Sequence, residues 1–386
     1  MGLGLMITRD IGIIGYGSAA YHKKPDTSLF GYAGRAARKA IANAGINKKE
    51  IDGFCLDGSL GADTSVSAAE YLGLTLSWAH KSTAAGAGTL MSIVNAVRAV
   101  EAGHANYVLC IGAGAQDISS FKKRISGFTA AVSNYLAPHG YGGPPGMHAI
   151  IQRKHMNAFG TRREQLGRIA VHQRMNAMRN DSALLRSPLT LDDYLNAKMV
   201  SDPLRLYDCV LPCSGAEAVV VGPLDRVQKG KGVRVLSARE RHNHPLGEVA
   251  PIRGGWEVFR DVLFADAGYP QADMDFMQCY DDFPIMAAMQ IEDLGFCPKG
   301  EIGCFLQENT LTYDGSFPLN TGGGLLSCGQ AGGAAGLHGL VEAVRQLRGE
   351  GGARQVADAT RGIVSGFGMI SYGHGLSASA VIVERA

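Results

Sequence analysis

Residues 322–336 read Gly-Gly-Gly-Leu-Leu-Ser-Cys-Gly-Gln-Ala-Gly-Gly-Ala-Ala-Gly, and a Leu-Val-Glu-Ala-Val-Arg amphipathic helix follows at once. Side chains this small let backbone approach a ligand closely, and free N–H groups at the mouth of the following helix favour developing negative charge. The run therefore predicts a catalytic loop, not a linker. Glycine is abundant throughout, 52 of 386 residues, nearly twice the usual share of about 7%. It clusters as Gly-Gly or Gly-x-Gly between apolar runs, which favours an α/β protein with many tight strand-to-loop turns.

A chain of this length can form two core-bearing domains or one large duplicated one. With 46% hydrophobic and 19% charged residues, a compact globular protein is expected. The net charge of +2 gives no electrostatic case for nucleic acid or an anionic membrane. No apolar run approaches the roughly 18 residues of a membrane span. The eight cysteines, Cys55, Cys110, Cys209, Cys213, Cys279, Cys297, Cys304 and Cys328, form no Cys-x-x-Cys pair, and no signal peptide is expected ahead of them. That pattern predicts free thiols in a reducing cytoplasm and no metal site.

Ile11 to Gly17 reads as a buried first strand ending in a glycine turn. Its Gly15-Tyr16-Gly17 is a weak match to a dinucleotide loop, because the third fingerprint glycine is missing and no helix opens directly. A helix is expected over Arg35–Asn43, stopped by Gly45; a second long one through Met91, Val94, Val97 and Val100 ends near Gly103. Residues 117–200 break the rhythm and read as an insertion that covers something. A helix is expected near Ala149–Phe159, and another opens at Thr161-Arg-Arg-Glu164, a capping-box match.

The second half repeats the first. Ala42-Asn-Ala-Gly45 with Asp52 seven residues later corresponds to Ala265-Asp-Ala-Gly268 with Asp275, and Val94-Asn-Ala-Val-Arg98 corresponds to Val341-Glu-Ala-Val-Arg345. Such a duplication predicts two mixed sheets about a pseudo-twofold axis, with the two glycine-rich loops facing each other across it. The halves are expected at 1–230, carrying the insertion, and 231–386.

Gly323-Gly324, Gly329 and Ala334-Ala335-Gly336 fall where the thiolases carry Gly-Gly, then Gly-His-Pro, then two residues and Ala-Thr-Gly. With Pro203–Cys209 and Glu292–Glu301, this loop makes nearly the whole chain resemble the thiolase superfamily, in particular the sterol carrier protein type. The resemblance implies a duplicated, layered αβαβα fold with two mixed five-stranded sheets and an inserted loop domain. It also implies that the four catalytic positions have changed. The nucleophile turn is Thr83-Ala-Ala-Gly86, flanked by Ser82. The His or Asn position is Tyr280 of Tyr280-Asp-Asp-Phe283, the Gly-His-Pro histidine is Gln330, and the second cysteine falls at or beside Tyr372. A threonine hydroxyl is far harder to ionise than a thiol of pKa about 8.5, so covalent acyl transfer is not what these residues suit.

Two phenols and an amide suit a different step, cleavage of the Cα–Cβ bond of a β-hydroxyacyl thioester. That step needs a base, enolate donors and an acid, but no covalent nucleophile. Tyr280 in its Tyr-Asp-x-Phe context resembles the thiolase-fold aldolases that shorten steroid side chains, although those carry a second tyrosine where this chain has Gly332-Gly333. The resemblance thus implies Tyr280 and Tyr372 as acid/base and enolate donors, Gln330 as amide donor, and N–H groups near Gly375 in an oxyanion hole. His374 and Thr83 are further catalytic candidates, and Ser82, Gly329 and Asp281 are substrate-binding ones. His80 and His338 lie in or beside the matched loops, and Asp281 and Asp282 could hold a tyrosine in register. Cys279 is expected in the core. No cofactor is implied beyond the coenzyme A of an acyl-CoA substrate. The family also implies a homodimer bound to a small zinc-ribbon/OB-fold companion. Two other readings stay open: a catalytically silent acyl-CoA-holding homologue, and a condensing enzyme using Thr83 or a displaced cysteine.

Overall fold

β1 (Ile11–His22) lies between two cores because its side chains alternate. Ile11 and Ile13 join the central apolar cluster, while Ile14 and Ala19 join an outer one with α1 (Leu29–Ala44). The strand does not end at its glycines. A Cβ on Gly15 or Gly17 would stand 2.5 Å from the Ala40 or Ala36 carbonyl oxygen, so the Gly-x-Gly seats α1 on the strand and builds no nucleotide turn. Helix α1 begins six residues earlier than the periodicity suggests, because Ser28 caps it by accepting from the Gly31 N–H; Gly45, at φ 70°, ends it.

The computed structural model describes residues 10–57, 64–82, 85–124, 130, 132–248, 250–368 and 376–386. After α1 come β2 (Gly53–Asp57), α2 (Ser65–Leu72), β3 (Trp78–Ser82), α3 (Ala85–Glu101) and β4 (Val108–Gly114). The insertion carries α4 (Ile118–Arg124), α5 (Pro144–Phe159), α6 (Arg163–Ala177), α7 (Leu191–Asn196) and the short pair β5 (Met199–Ser201) and β6 (Leu204–Arg205). The chain then runs β7 (Ser214–Pro223), β8 (Val233–His244), α8 (Trp256–Ala267), β9 (Phe276–Cys279), α9 (Pro284–Asp293) and α10 (Ile302–Glu308). It closes with α11 (Gly324–Cys328), α12 (Ala335–Leu347), β10 (Arg361–Gly368) and β11 (Leu376–Arg385).

The strand order β3-β2-β4-β7-β1-β8-β11-β10-β9 carries the duplication. β2 pairs parallel with β4, which pairs antiparallel with β7 and β7 with β1. β9, β10, β11 and β8 repeat that pattern step for step. The two expected five-stranded sheets are instead one nine-stranded sheet, for two reasons. β1 joins β8 through Gly12–Arg234 and Ile13–Val233, and the partner that would match β3 is reduced to the single bridge Met277–Leu319. The layering is as expected. α3 and α12 pack on each other and on strands of both halves, α1 covers β1, β4 and β7 outside, and α8 covers β8 and β11. Leu337, Leu340, Val341, Val344 and Leu347 of α12 are fully buried in that central layer, worth about 1.5–3 kcal/mol each.

The insertion covers the second half. α5 starts five residues before the expected Ala149, with Pro144 at its first position. α6 starts at Arg163, and its box closes from Gln165 Oε1 to the Arg162 N–H at 2.8 Å. Thr161 cannot serve as the cap because its hydroxyl is turned inward to His155 Nδ1 at 3.2 Å. The other ring nitrogen of that histidine meets Glu292 of α9 at 3.1 Å, which pins α5 to the helix beneath it. Among the described residues no helix is long and apolar enough to cross a membrane.

The loop backbone also lies directly on β4, since a Cβ on Gly112 would stand 2.3 Å from the Gly333 carbonyl oxygen. Gly112→Ala is therefore expected to push the loop off the strand and cost about 1–3 kcal/mol, read as a lower urea midpoint with an unchanged slope.

Candidate active site

Tyr280 leaves β9 on a clamped backbone. Its N–H donates to the Ser365 carbonyl of β10 at 3.1 Å, and its carbonyl accepts from Gln290 Nε2 at 2.7 Å. Gln290, wholly buried on α9, also accepts from Ser365 Oγ at 2.6 Å. The phenol ring then lies across the start of α3. A Cβ on Gly86 would stand 2.3 Å from Tyr280 Cε2, and the ring meets Phe367 edge-on at 5.9 Å. The start of α12 reaches the same place, since a Cβ on Gly336 would stand 2.5 Å from Thr89 Cβ and 2.8 Å from the Gly86 carbonyl oxygen. The two glycine-rich helix starts thus face each other with Tyr280 at their junction.

Asp281 holds the glycine loop. Its Oδ1 accepts from Leu325 N–H at 2.8 Å and its Oδ2 from Leu326 N–H at 3.2 Å. Gly324, at φ 58°, leaves no room for a side chain, since a Cβ there would stand 2.3 Å from Oδ2. Burial lifts the Asp281 carboxyl to about 7 against the opposing pull of those two amides. Expected as a substrate-binding group, Asp281 is fully buried with both oxygens bonded to the loop, and so acts by positioning. Asp282 is only half-buried, but its Oδ1 is buried without a partner, and burial raises its pKa with the Asp281 charge adding to the effect.

Gln330 is clamped at its backbone to the Leu211–Cys213 segment: its N–H donates to Leu211 at 2.9 Å and its carbonyl accepts from Cys213 at 3.1 Å. Its side chain links two halves of the molecule. Gln116 Nε2 donates to Gln330 Oε1 at 3.1 Å, and Gln330 Nε2 donates to the Tyr280 hydroxyl oxygen at 3.2 Å. Gln116 thereby fixes which end of the Gln330 amide faces the phenol. An N–H aimed at the phenol oxygen stabilises a phenolate and leaves the phenol proton to be donated elsewhere. Gln116 is absent from the sequence-based candidates, although its place just beyond the carboxyl end of β4 is where open α/β sheets bind ligands.

The remaining candidates separate. Ser82 is buried at the end of β3, and Gly329, at φ 104°, leaves no room for a side chain beside Cys213 Sγ. Thr83, Tyr372, His374 and Gly375 lie outside the described residues. His80, on β3, meets Asn95 Nδ2 at 3.4 Å. His338 belongs to a buried network: its Nδ1 lies 3.4 Å from Glu217 Oε1 and 3.3 Å from the Tyr21 hydroxyl. Burial alone would lower its pKa, but Cys328 and Glu217 lift it to about 10. All eight cysteines are free, and Cys279 is in the core as expected. Burial pushes the thiols of Cys55, Cys209, Cys213, Cys279 and Cys297 up, the wrong direction for a displaced nucleophile.

Asp281→Ala should leave the Leu325 and Leu326 amides unpaired and cost about 2–4 kcal/mol by denaturant unfolding. The His338 pKa is raised above its ordinary 6.5 to about 10. The stability it contributes is therefore complete below pH 6.5 and lost as pH rises towards 10. His338→Gln should flatten that alkaline slope in thermal melts run across this range.

The Thiolase C-terminal domain-like family matches residues 261–384. The acetyl-CoA acetyltransferase of Methanothermobacter thermautotrophicus is 30% identical, over 98% of this chain and 100% of its own. The 17-hydroxy-3-oxo-4-pregnene-20-carboxyl-CoA lyase of Mycobacterium tuberculosis is 28% identical, over 89% of this chain and 93% of its own. The solved Ltp2-ChsH2(DUF35) aldolase superposes with a TM-score of 0.85 at 26% identity, over 98% of each chain. With the layered duplication, the facing glycine loops and this full-length likeness, the chain belongs to the thiolase superfamily, in its sterol carrier protein-like branch.

Proposed function

We propose that the protein is a carbon–carbon lyase that cleaves the Cα–Cβ bond of a β-hydroxyacyl-CoA by tyrosine acid/base chemistry without a covalent intermediate. The observation that carries this reading is the Gln116–Gln330–Tyr280 relay. On the family resemblance that phenol occupies the His or Asn position of the acyl-transfer site, and the sequence carries threonine where the family's nucleophile turn has cysteine. In the reaction, the β-hydroxyl loses its proton as the C–O bond becomes C=O. The Cα–Cβ bond breaks, and its electron pair passes to the thioester as an enolate. An acid then delivers a proton to Cα, releasing a ketone or aldehyde and a shorter acyl-CoA. Tyr280 and Tyr372 serve as acid/base and enolate donors, Gln330 orients Tyr280, and backbone amides near Gly375 receive the enolate oxygen. Coenzyme A enters only as part of the substrate.

The lyase and aldolase relatives support carbon–carbon cleavage over acyl transfer, although an acetyltransferase is also similar. The pregnene substrate of the M. tuberculosis lyase makes a steroid side-chain thioester the first class to test. The ChsH2(DUF35) chain of the solved aldolase supports a heteromeric assembly; the proposal adds that this chain acts in the cytoplasm as a homodimer bound to a small zinc-ribbon/OB-fold companion.

Incubating the chain, with and without such a companion, with β-hydroxyacyl-CoAs should release the shorter acyl-CoA, seen by mass spectrometry. Tyr280→Phe should lower kcat about 10²–10⁴-fold with KM little changed. Tight thioester binding without turnover, unaltered by Tyr280→Phe, would instead identify a silent acyl-CoA-holding protein. A protein-bound acyl group on Thr83 would identify a condensing enzyme.

A further inference from the structure

Helix α5 carries two buried histidines seven residues apart, and the fold treats them differently. His155 has both ring nitrogens bonded, to Thr161 Oγ1 at 3.2 Å and to Glu292 Oε2 at 3.1 Å. His148, only 4% exposed, bonds through Nδ1 to the Pro144 carbonyl at 2.8 Å, and its Nε2 is buried with no partner. A carbonyl can only accept, so Nδ1 carries the ring proton and Nε2 presents a bare lone pair. Leaving a buried acceptor unpaired is costly, so such an atom calls for a partner from outside the chain: a water, an ion or a ligand group.

The position of the ring points to that use. His148 stacks on Phe283 with centroids 4.0 Å apart, and Phe283 closes the turn that begins with Tyr280. Phe367 meets both His148, edge-on at 5.8 Å, and Tyr280, edge-on at 5.9 Å. Between Tyr280 and Phe283 in sequence, Asp282 keeps its own buried, unpartnered Oδ1. Gln152, one turn along α5 and wholly buried, has neither amide atom paired. The insertion thus brings one unpaired ring nitrogen to the Phe283 end of the Tyr280 turn, with Phe367 touching both the imidazole and the phenol ring.

Building on the lyase reading, we infer that His148 Nε2 accepts the β-hydroxyl of the substrate and takes its proton as the Cα–Cβ bond breaks. The hydroxyl O–H pair becomes the second bond of the product carbonyl, and the Cα–Cβ pair moves into the thioester enolate. The Tyr280 phenol protonates Cα, and the imidazolium returns its proton to the phenolate, so the protein ends as it began. Burial holds the free imidazole down at about 4, with the Pro144 carbonyl opposing, so the ring is an unprotonated acceptor at ordinary pH. The enolate charge that develops in the same step supplies the counter-charge an imidazolium needs. Asp282, whose burial and Asp281 neighbour both favour its protonated form, adds no competing negative charge beside it.

The test is calorimetric binding of two CoA thioesters of equal chain length, one β-hydroxylated and one without the hydroxyl, in a Tyr280→Phe background that suppresses turnover. The inference expects the hydroxylated ligand to bind about tenfold tighter, and His148→Phe, which keeps the stacked ring, to erase that preference while leaving the saturated ligand's affinity unchanged. With Tyr280 intact, His148→Phe should lower kcat about 10²–10⁴-fold with little change in KM. A preference that survives in the variant, or no preference to begin with, overturns the assignment; His148→Met gives the same reading should the phenyl ring misfold the chain. If no β-hydroxyacyl-CoA is cleaved yet the preference exists and is lost in the variant, the lyase reading fails while the His148 contact stands.

Discussion

The site depends on one carboxyl group bonded to two backbone amides. Asp281 takes the N–H groups of Leu325 and Leu326 at the opening of α11, tying the turn after β9 to the glycine loop. Tyr280 lies one residue before it, and Gln330 two residues after α11 ends. Fixing Asp281 therefore fixes the separation of the phenol and the amide that bonds it. The raised pKa of this carboxyl is the counterpart of that role, because a group buried deeply enough to organise a loop has given up the water that would favour its charge.

Glycine gives this arrangement its density. At Gly86 it admits an aromatic ring, at Gly112 a loop backbone, and at Gly324 a carboxylate, each at a distance where a Cβ would collide. Hence the molecule can bring the starts of α3 and α12, the turn after β9 and the end of β4 into one small volume. The duplication puts α3 and α12 back to back between the half-sheets, and the small residues let that symmetry close around a site.

The insertion is where the symmetry ends. It has no counterpart in the second half, and its helices α5 and α6 pack over α9. Where it meets α9, His155, Glu292 and Lys299 are bonded together, and within it Gln152, Gln173 and His148 Nε2 are left without partners.

The glycine loop and its helix, the repeat that pairs α3 with α12, the core place of Cys279 and the layered fold were legible in the residues, because small-residue spacing and apolar periodicity are local signals. Tyr280 and Gln330 could be singled out too, because each stands where a recognisable motif expects another residue. Other features belong to the folded chain alone. Gln116 stands 214 residues from the amide it orients, Asp281 exchanged an expected ligand contact for two loop amides, and the sheets merged through two residue pairs. His148 gave no signal, since a histidine on an apolar helix face reads the same whether its second nitrogen is paired or not. Sequence determines which groups are available and which turns are possible; which lone pairs remain unsatisfied is decided only when distant segments have packed against each other.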